Sequence, residues 1–256
     1  MPLDRAGTLL GDHHPVRYSP SLATLVEAER RPASIIGEKR RSALHGSVVV
    51  GNPSMPSVAT EDGRRYRLPS LAGAESEAHS VAARLGVTAM TGTSALEKVV
   101  RWRLSDAPVV HFARHGFAYS SGERARASFV ALSTGELNDG LLTVGEVLDE
   151  SPQINAELVV LSAGQTGLGD LKQSEGTVGL QRAFLARGAR SVLVSIWSVD
   201  DAGTKLLMER FYTRWLDDDD QPSKAEALRR AQRDVRQTAG FEDPRYWAGF
   251  QLVGGR

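Results

Sequence analysis

The sequence predicts an α/β protein in which a mostly parallel central sheet is flanked by helices. The first observation is a set of short apolar runs rich in β-branched residues, which is typical of strands buried on both faces. They are Ser47–Gly51, Val109–Ala113, Glu157–Ser162 and Ser191–Trp197. The second observation is that the stretches between them carry apolar residues at helical spacing. They are Ala74–Leu85, Ser94–Leu104 and Gly176–Arg187. Because strands that alternate with helices pair in parallel through crossovers, this order predicts a layered sheet.

The last third of the chain predicts two consecutive helices, Asp200–Trp215 and Ser223–Thr238, followed by a short strand, Ala248–Val253. Two polar stretches interrupt the regular pattern. Pro53–Pro69 and Ser120–Arg126 are interpreted as surface loops because Pro, Gly and Ser are frequent in them.

Composition narrows the classes of function. The chain has 256 residues with 31 basic and 31 acidic side chains, so a general polyanion binder is disfavoured and no nucleic-acid partner is expected. Cysteine is absent, which excludes disulfides, thiolate zinc sites and a cysteine nucleophile in this chain. No apolar run reaches the roughly 18 residues of a membrane span and no secretory leader is visible, so we expect no membrane contact and a cytoplasmic protein.

Two predicted strands end in residues that can carry chemistry. Val109–Ala113 leads into Arg114, His115 and Gly116. A histidine beside an unencumbered glycine offers a general base and a backbone N–H donor, although a hydrogen-bonded loop histidine is the plainer interpretation of His115. His111, on the strand itself, is expected to be structural.

The next strand leads into a glycine-rich turn with Gly164, Gly167 and Gly169. Backbone N–H groups of such a turn can hold a phosphate, but the order differs from the dinucleotide-binding pattern. His111 and His115 have helical ligand spacing on a predicted strand, so neither a metal nor another cofactor is expected.

Adjacent carboxylates follow the strand that contains Ser195. Asp200 is expected to cap the following helix, whereas Asp201 is a candidate for binding a cationic group in the cleft. The run Asp217–Asp220 is interpreted as a solvated loop. The arginines of the next helix, at positions 229, 230, 233 and 236, are interpreted as an exposed face.

Several segments, in this order, resemble one known family. They are Tyr18–Leu22 (YSPSL), Val48–Pro53 (VVVGNP), Leu71–Ala78 (LAGAESEA), His111–Gly116 (HFARHG), Leu158–Ala163 (LVVLSA), Gln165–Gly167 (QTG), Glu175–Gly176 (EG), Ser195–Asp201 (SIWSVDD) and Pro244–Phe250 (PRYWAGF). Together they resemble the CHAT domain of the caspase-like cysteine peptidases, which are related to separase and the caspases. The resemblance runs from about Tyr18 to Gly254 and implies a caspase-like layered sandwich.

The resemblance also implies roles for single residues. His115 would manage the proton of a cysteine nucleophile, and the N–H groups of Gly116 and of the nucleophile would form the oxyanion hole. The family pattern Leu-Ser-Ala-Cys-x-Thr-Gly places the nucleophile at position 164, where this chain has glycine. Asp201 occupies the place of the acid that lines the pocket for a basic P1 residue in separase-like relatives, which favours Arg over Lys.

Three explanations of Gly164 stay open at this stage. The chain is an inactivated form of a peptidase, or a natural pseudopeptidase that binds proteins through an intact cleft, or a protein with the same fold whose glycine turn binds a small anion. His115, Gly116 and Asp201 are all retained. This favours the loss of one residue, the nucleophile, from an otherwise complete site.

The organisation expected from the resemblance is one domain. Residues 1–50 form a lead-in helix and first strand, truncated relative to a typical family member, and residues 51–256 form the CHAT peptidase-like domain. The expected partners are a protein or peptide substrate and a regulatory sensor or repeat region outside this chain. Bacterial defence or regulated self-cleavage is the biological setting that the family implies.

Overall fold

The computed structural model describes residues 9–30, 44–59, 65–113, 116–117, 122–162, 173–197 and 199–256. Within these ranges the helices are α1 (Leu10–His13), α2 (Leu22–Arg30), α3 (Ala72–Leu85), α4 (Glu97–Arg103), α5 (Val144–Asp149), α6 (Gln173–Arg187), α7 (Asp201–Asp217), α8 (Lys224–Arg236) and α9 (Pro244–Trp247). The strands are β1 (Val48–Pro53), β2 (Ser57–Ala59), β3 (Arg65–Arg67), β4 (Met90–Gly92), β5 (Val109–Ala113), β6 (Gly116–Phe117), β7 (Phe129–Ala131), β8 (Leu141–Thr143), β9 (Leu158–Ser162), β10 (Ser191–Ser195) and β11 (Phe250–Gly254).

Six of the described strands form the central sheet, in the order β11-β10-β9-β5-β1-β4. The pairs are parallel except for β10 and β11, which are antiparallel. Every residue of β5, β9 and β10 is buried, as expected for parallel strands covered on both faces. The α/β class and the mostly parallel sheet predicted from the sequence are therefore confirmed.

Alternate residues of each strand point into two different cores. Val49, Val160 and Leu193 pack with α3, α7 and α8 on one face of the sheet. Val50, Val159 and Val194 pack with α4, α5 and α6 on the other face. The strand period of two thus divides each buried strand between two helical layers.

The stretch Pro53–Pro69, interpreted as a surface loop, is more ordered than expected. It contains β2 and β3, which pair antiparallel, with Val58 opposite Tyr66. Met55, Val58 and Leu68 are buried in a small core with residues of β7. The loop prediction was wrong here because the buried apolar residues are too widely spaced to give a visible strand period.

A short antiparallel sheet, β6-β7-β8, follows the central strand β5. Between β6 and β7, a 3₁₀ helix occupies Gly122–Ala127 and overlaps most of the stretch interpreted as the loop Ser120–Arg126. Strands β6, β7 and β8 have two or three residues each. Segments this short carry no periodic signal, so the sequence did not predict them.

The acidic run after α7 is ion-paired rather than simply solvated. Asp218 and Asp220 bind Arg230 of α8 at 2.9 and 2.5 Å. Asp217 binds Arg84 of α3 at 2.6 Å. Hydrogen bonds from Arg230 lower the pKa of Asp220. Charge in the α7–α8 turn therefore joins neighbouring helices. The solvated-loop interpretation holds for Asp219 and the exposed-face interpretation for Arg233, which are exposed, but Asp217, Asp218 and Arg230 are ion-paired and partly buried.

A buried polar network joins β5 to the helices on one face of the sheet. His111 is fully buried, with Nε2 3.0 Å from Oε1 of Glu77 on α3 and Nδ1 3.2 Å from the hydroxyl of Tyr212 on α7. Burial, followed by the charge of Glu77, raises the pKa of Tyr212 well above its ordinary value. The structural role expected for His111 is confirmed.

A second buried charge lies at the opposite end of the sheet. Lys224, at the start of α8, binds the carboxylate of Glu157 and donates to the backbone oxygen of Arg256 at 2.9 Å. Burial lowers the pKa of Lys224 to about 8, although the attraction of Glu157 opposes this change. Folding therefore disfavours the charged form of this lysine.

Replacing His111 with leucine should lower the free energy of unfolding by roughly 3 kcal/mol, because Glu77 then stays buried without its partner. Urea denaturation measures this loss. The double variant His111→Leu with Glu77→Met should recover part of it, since both groups become apolar. His79→Ala, on the exposed side of α3, is the control and should cost roughly 0.5 kcal/mol or less. Equal losses from the two histidines would contradict the stabilising role of the network.

Lys224 should make stability depend on alkaline pH. Its pKa falls from an ordinary value of 10.5, which applies to the unfolded chain, to about 8 in the folded protein, so between these values the folded state binds fewer protons. The Lys224 contribution to the free energy of unfolding therefore rises with pH across this window. Urea denaturation at several pH values should give a wild-type minus Lys224→Met difference that grows with pH. A constant difference would contradict the burial effect.

Candidate functional site

The ends of the parallel strands meet at one edge of the sheet. Ala113, the last residue of β5, is in register with Ser162, the last residue of β9, and with Gly51 of β1. His115 and Gly164 each follow their strand by two residues and lie outside the described residues. The strand register brings the starting points of both segments together, at the edge where open α/β sheets place their sites.

Gly116 belongs to a different sheet from β5, the strand that precedes it. It is the first residue of β6 and pairs antiparallel with Val130 of β7. Val130 is buried among residues of the central sheet and of α5. The chain that leaves β5 is therefore fixed within three residues by a second, smaller sheet, which limits where the backbone of Gly116 can lie.

The two carboxylates at the start of α7 have different surroundings. The side chain of Asp200 accepts a hydrogen bond from the backbone N–H of Gly203 at 3.0 Å, which confirms its capping role. Asp201 is exposed and makes no hydrogen bond or ion pair with any described residue. Its carboxylate lies against Gly73 in the first turn of α3. Asp201 is thus open to a ligand, whereas Asp200 is occupied.

The segment between β10 and α7 is packed against the end of the chain. Ile196 donates its N–H to the carbonyl of Gly249 at 2.8 Å. A Cβ at Gly249 would lie 2.6 Å from Val199 and 2.9 Å from the indole nitrogen of Trp197. The two segments SIWSVDD and PRYWAGF, which lie far apart in the sequence, are therefore in direct contact. Trp197 stays 39% exposed despite its contact with Gly249.

Sequence reasoning missed Asn52 as a site residue. It lies near the end of β1 with φ 41°, in the left-handed region that asparagine tolerates better than most residues. Its Oδ1 accepts from the Ser70 hydroxyl and the Leu71 N–H, both at 2.9 Å, and its Nδ2 donates to Glu75 at 2.8 Å. Asn52 thereby fixes the start of α3. The asparagine that follows an apolar strand in VVVGNP was the available signal.

Other chemistries find little support in the described residues. No group of three or more His, Asp or Glu side chains in these ranges is arranged to hold a metal ion. In the same ranges, no helix is long and apolar enough to cross a bilayer. The glycine turn at Gly164, Gly167 and Gly169, considered for anion binding, lies outside the described residues.

Known proteins with similar sequences and folds agree with this architecture. A tetratricopeptide repeat protein 28 from Homo sapiens is 32% identical over 245 residues, and the matching protein from Mus musculus is 32% identical over 240 residues. The matches cover 83% and 81% of this chain but only 10% and 9% of those proteins. The chain thus spans about a tenth of the curated relatives that it matches, and their names say that they are tetratricopeptide repeat proteins.

A crystal structure of the Arg-specific cysteine proteinase gingipain R has a similar fold. The TM-score is 0.51 at 9% identity, and the match covers 91% of this chain and 50% of the proteinase chain. The likeness supports a caspase-like arrangement of the layers, as the sequence predicted. The family model of the CHAT domain matches residues 2–255. From the strand order, the packed motifs and this match, the chain belongs to the CHAT domain family.

Proposed function

We propose that this chain is a CHAT-type cysteine endopeptidase domain in an inactive form, which cleaves proteins after a basic P1 residue when a thiol is present at position 164. The observation that carries the proposal is the environment of Asp201. This carboxylate is exposed at the start of α7, beside the sheet edge, and no described residue hydrogen-bonds or pairs with it.

A free carboxylate in that place suits a cationic side chain. A guanidinium can donate two parallel hydrogen bonds to a carboxylate, which favours arginine over lysine. The gingipain of similar fold is named as Arg-specific, which agrees with the preference proposed for this chain.

The chemical step requires a nucleophile that this chain lacks. With a thiol at position 164, His115 would take its proton, and the sulfur would attack the scissile carbonyl while the N–H of Gly116 donates to the oxyanion. His115 would then protonate the leaving amine, and water would hydrolyse the thioester. The equal register of β5 and β9 supports this pairing, because both residues follow strand ends that lie side by side.

A binding function without cleavage is the second candidate. Gly164 itself favours it, because glycine cannot attack a carbonyl and the sequence has no cysteine elsewhere. In that case the cleft is a pseudopeptidase site that binds a protein segment through Asp201. The two candidates differ in whether a restored thiol gives turnover.

Gly164→Cys should convert the chain into a peptidase that cleaves after arginine. The rate of hydrolysis of fluorogenic peptides with Arg, Lys or Asp at P1 measures this activity and its preference for the P1 residue. Gly135→Cys is the matched control, since a side chain there meets only Leu96 at 3.8 Å and is far from the site in sequence. Adding His115→Ala to Gly164→Cys should reduce turnover by at least about 100-fold. Absence of both turnover and labelling by an arginine-based thiol probe would favour the pseudopeptidase.

In the Gly164→Cys background, Asp201→Asn should lower kcat/KM for arginine substrates by roughly 100-fold, because the charged partner of the guanidinium is lost. Substrates with norleucine at P1 should change little. Asp219→Asn removes the same charge from the exposed α7–α8 turn and is the control. Retained preference for arginine in the Asp201 variant would exclude this residue as the P1 partner.

A further inference from the structure

The first two turns of α3 contact β1, β5 and α7, three of the elements that border the candidate site. A Cβ at Gly51 of β1 would lie 2.4 Å from the carbonyl oxygen of Ala74 and 2.5 Å from the Cβ of Ala78. Glu77 of the same helix binds His111 of β5. The motif LAGAESEA, which carries no chemical role in the sequence pattern, is therefore the contact surface between α3 and the strands.

Gly73 is one of the residues of this motif that contact α7, as is Ser76, which accepts a hydrogen bond from Lys205. A Cβ built at Gly73 would lie 2.4 Å from Oδ2, 2.6 Å from Cγ and 2.7 Å from Cβ of Asp201. Carbon atoms that are not bonded approach to about 3.5–4.0 Å at their preferred separation. No side chain larger than hydrogen fits at position 73 while Asp201 keeps its position.

Backbone conformation gives no other reason for glycine at this position. Gly73 is helical and has no positive φ. Glycine within a helix is less stable than alanine, because it loses more conformational freedom on folding. The space that Gly73 leaves for the Asp201 side chain offsets this loss of helix stability.

The Asp201 carboxylate lies beside the first turn of α3. Since no described residue hydrogen-bonds to it, its oxygens stay available to a ligand.

We propose that Gly73 is a positioning residue that determines P1 specificity by letting the Asp201 carboxylate lie against the first turn of α3. The inference rests on the proposed function, in which Asp201 binds the basic P1 side chain. Asn52 and the close contact at Gly51 hold α3 against β1. A methyl group at position 73 therefore displaces the Asp201 side chain rather than α3.

Binding to the chain in its present form tests the inference without any turnover. The probe is a short peptide that ends in arginine amide, with the norleucine peptide as reference, and calorimetry gives both Kd values. Gly73→Ala should raise the Kd of the arginine peptide by about tenfold, which corresponds to about 1.4 kcal/mol, and leave that of the norleucine peptide unchanged. Gly135→Ala is the control and should alter neither. An unchanged Arg-to-norleucine ratio in Gly73→Ala overturns the inference.

Kinetic measurements in the Gly164→Cys background distinguish a loss of Asp201 positioning from a general loss of structure. Gly73→Ala should raise KM for arginine substrates by about tenfold and leave kcat within about twofold, because the lost interaction is made before and during the reaction alike. An equal loss for arginine and norleucine substrates overturns the inference. If Gly164→Cys shows no turnover, the peptidase proposal fails, while arginine-peptide binding that depends on both Asp201 and Gly73 still supports the positioning role.

A double-mutant cycle on stability tests the contact itself. Gly73→Ala should make the protein easier to unfold in urea when Asp201 is present, and harder to unfold when Asp201→Gly has removed the side chain, because only the helix preference for alanine then remains. Equal effects in the two backgrounds mean that the methyl group does not meet Asp201, and they overturn the inference. A variant that unfolds completely only with Asp201 present counts as the predicted coupling.

Discussion

The packing of α3 against β1 and β5 is the constraint on which the rest of the site depends. It needs a strand glycine, Gly51, where the helix backbone comes too close for any side chain, and a buried polar pair, His111 and Glu77, one turn further along. An unpaired carboxylate in this core would be costly, so the pair fixes the helix along its axis as well as its distance from the sheet. Tyr212 extends the same network to α7.

This packing has consequences at the carboxyl edge of the sheet. With α3 fixed, its first turn lies beside the first turn of α7, and the Asp201 carboxylate lies against Gly73. From the other side, Gly249 admits Trp197 and Val199 at similarly short distances. Gly249 thus makes room for the segment between β10 and α7, and Gly73 makes room for the first residue of α7, although the two glycines come from distant parts of the chain. A recognition group held in this way needs little reorganisation when a ligand arrives.

In the proposed function, Gly164 separates recognition from chemistry. The proposed cationic pocket depends on α3, α7 and the chain end, which pack against one another in the described part of the chain. The step at the carbonyl depends on that position alone for its nucleophile. A peptidase site that loses its thiol therefore keeps the means to bind, which is why one fold can serve either a peptidase or a binding protein.

The sequence by itself determined the buried strands, the helices between them, the capping role of Asp200 and the family, because each depends on local periodicity, a local hydrogen bond or an ordered set of motifs. Only the tertiary structure decided that the acidic turn pairs with Arg230, that Pro53–Pro69 contains a hairpin, that Asn52 binds the start of α3 and that Gly73 lies against Asp201. These features join residues from separate elements, and a glycine gives no sign in sequence of the side chain for which it leaves room. Close packing between elements, rather than propensity within them, sets the surroundings of Asp201.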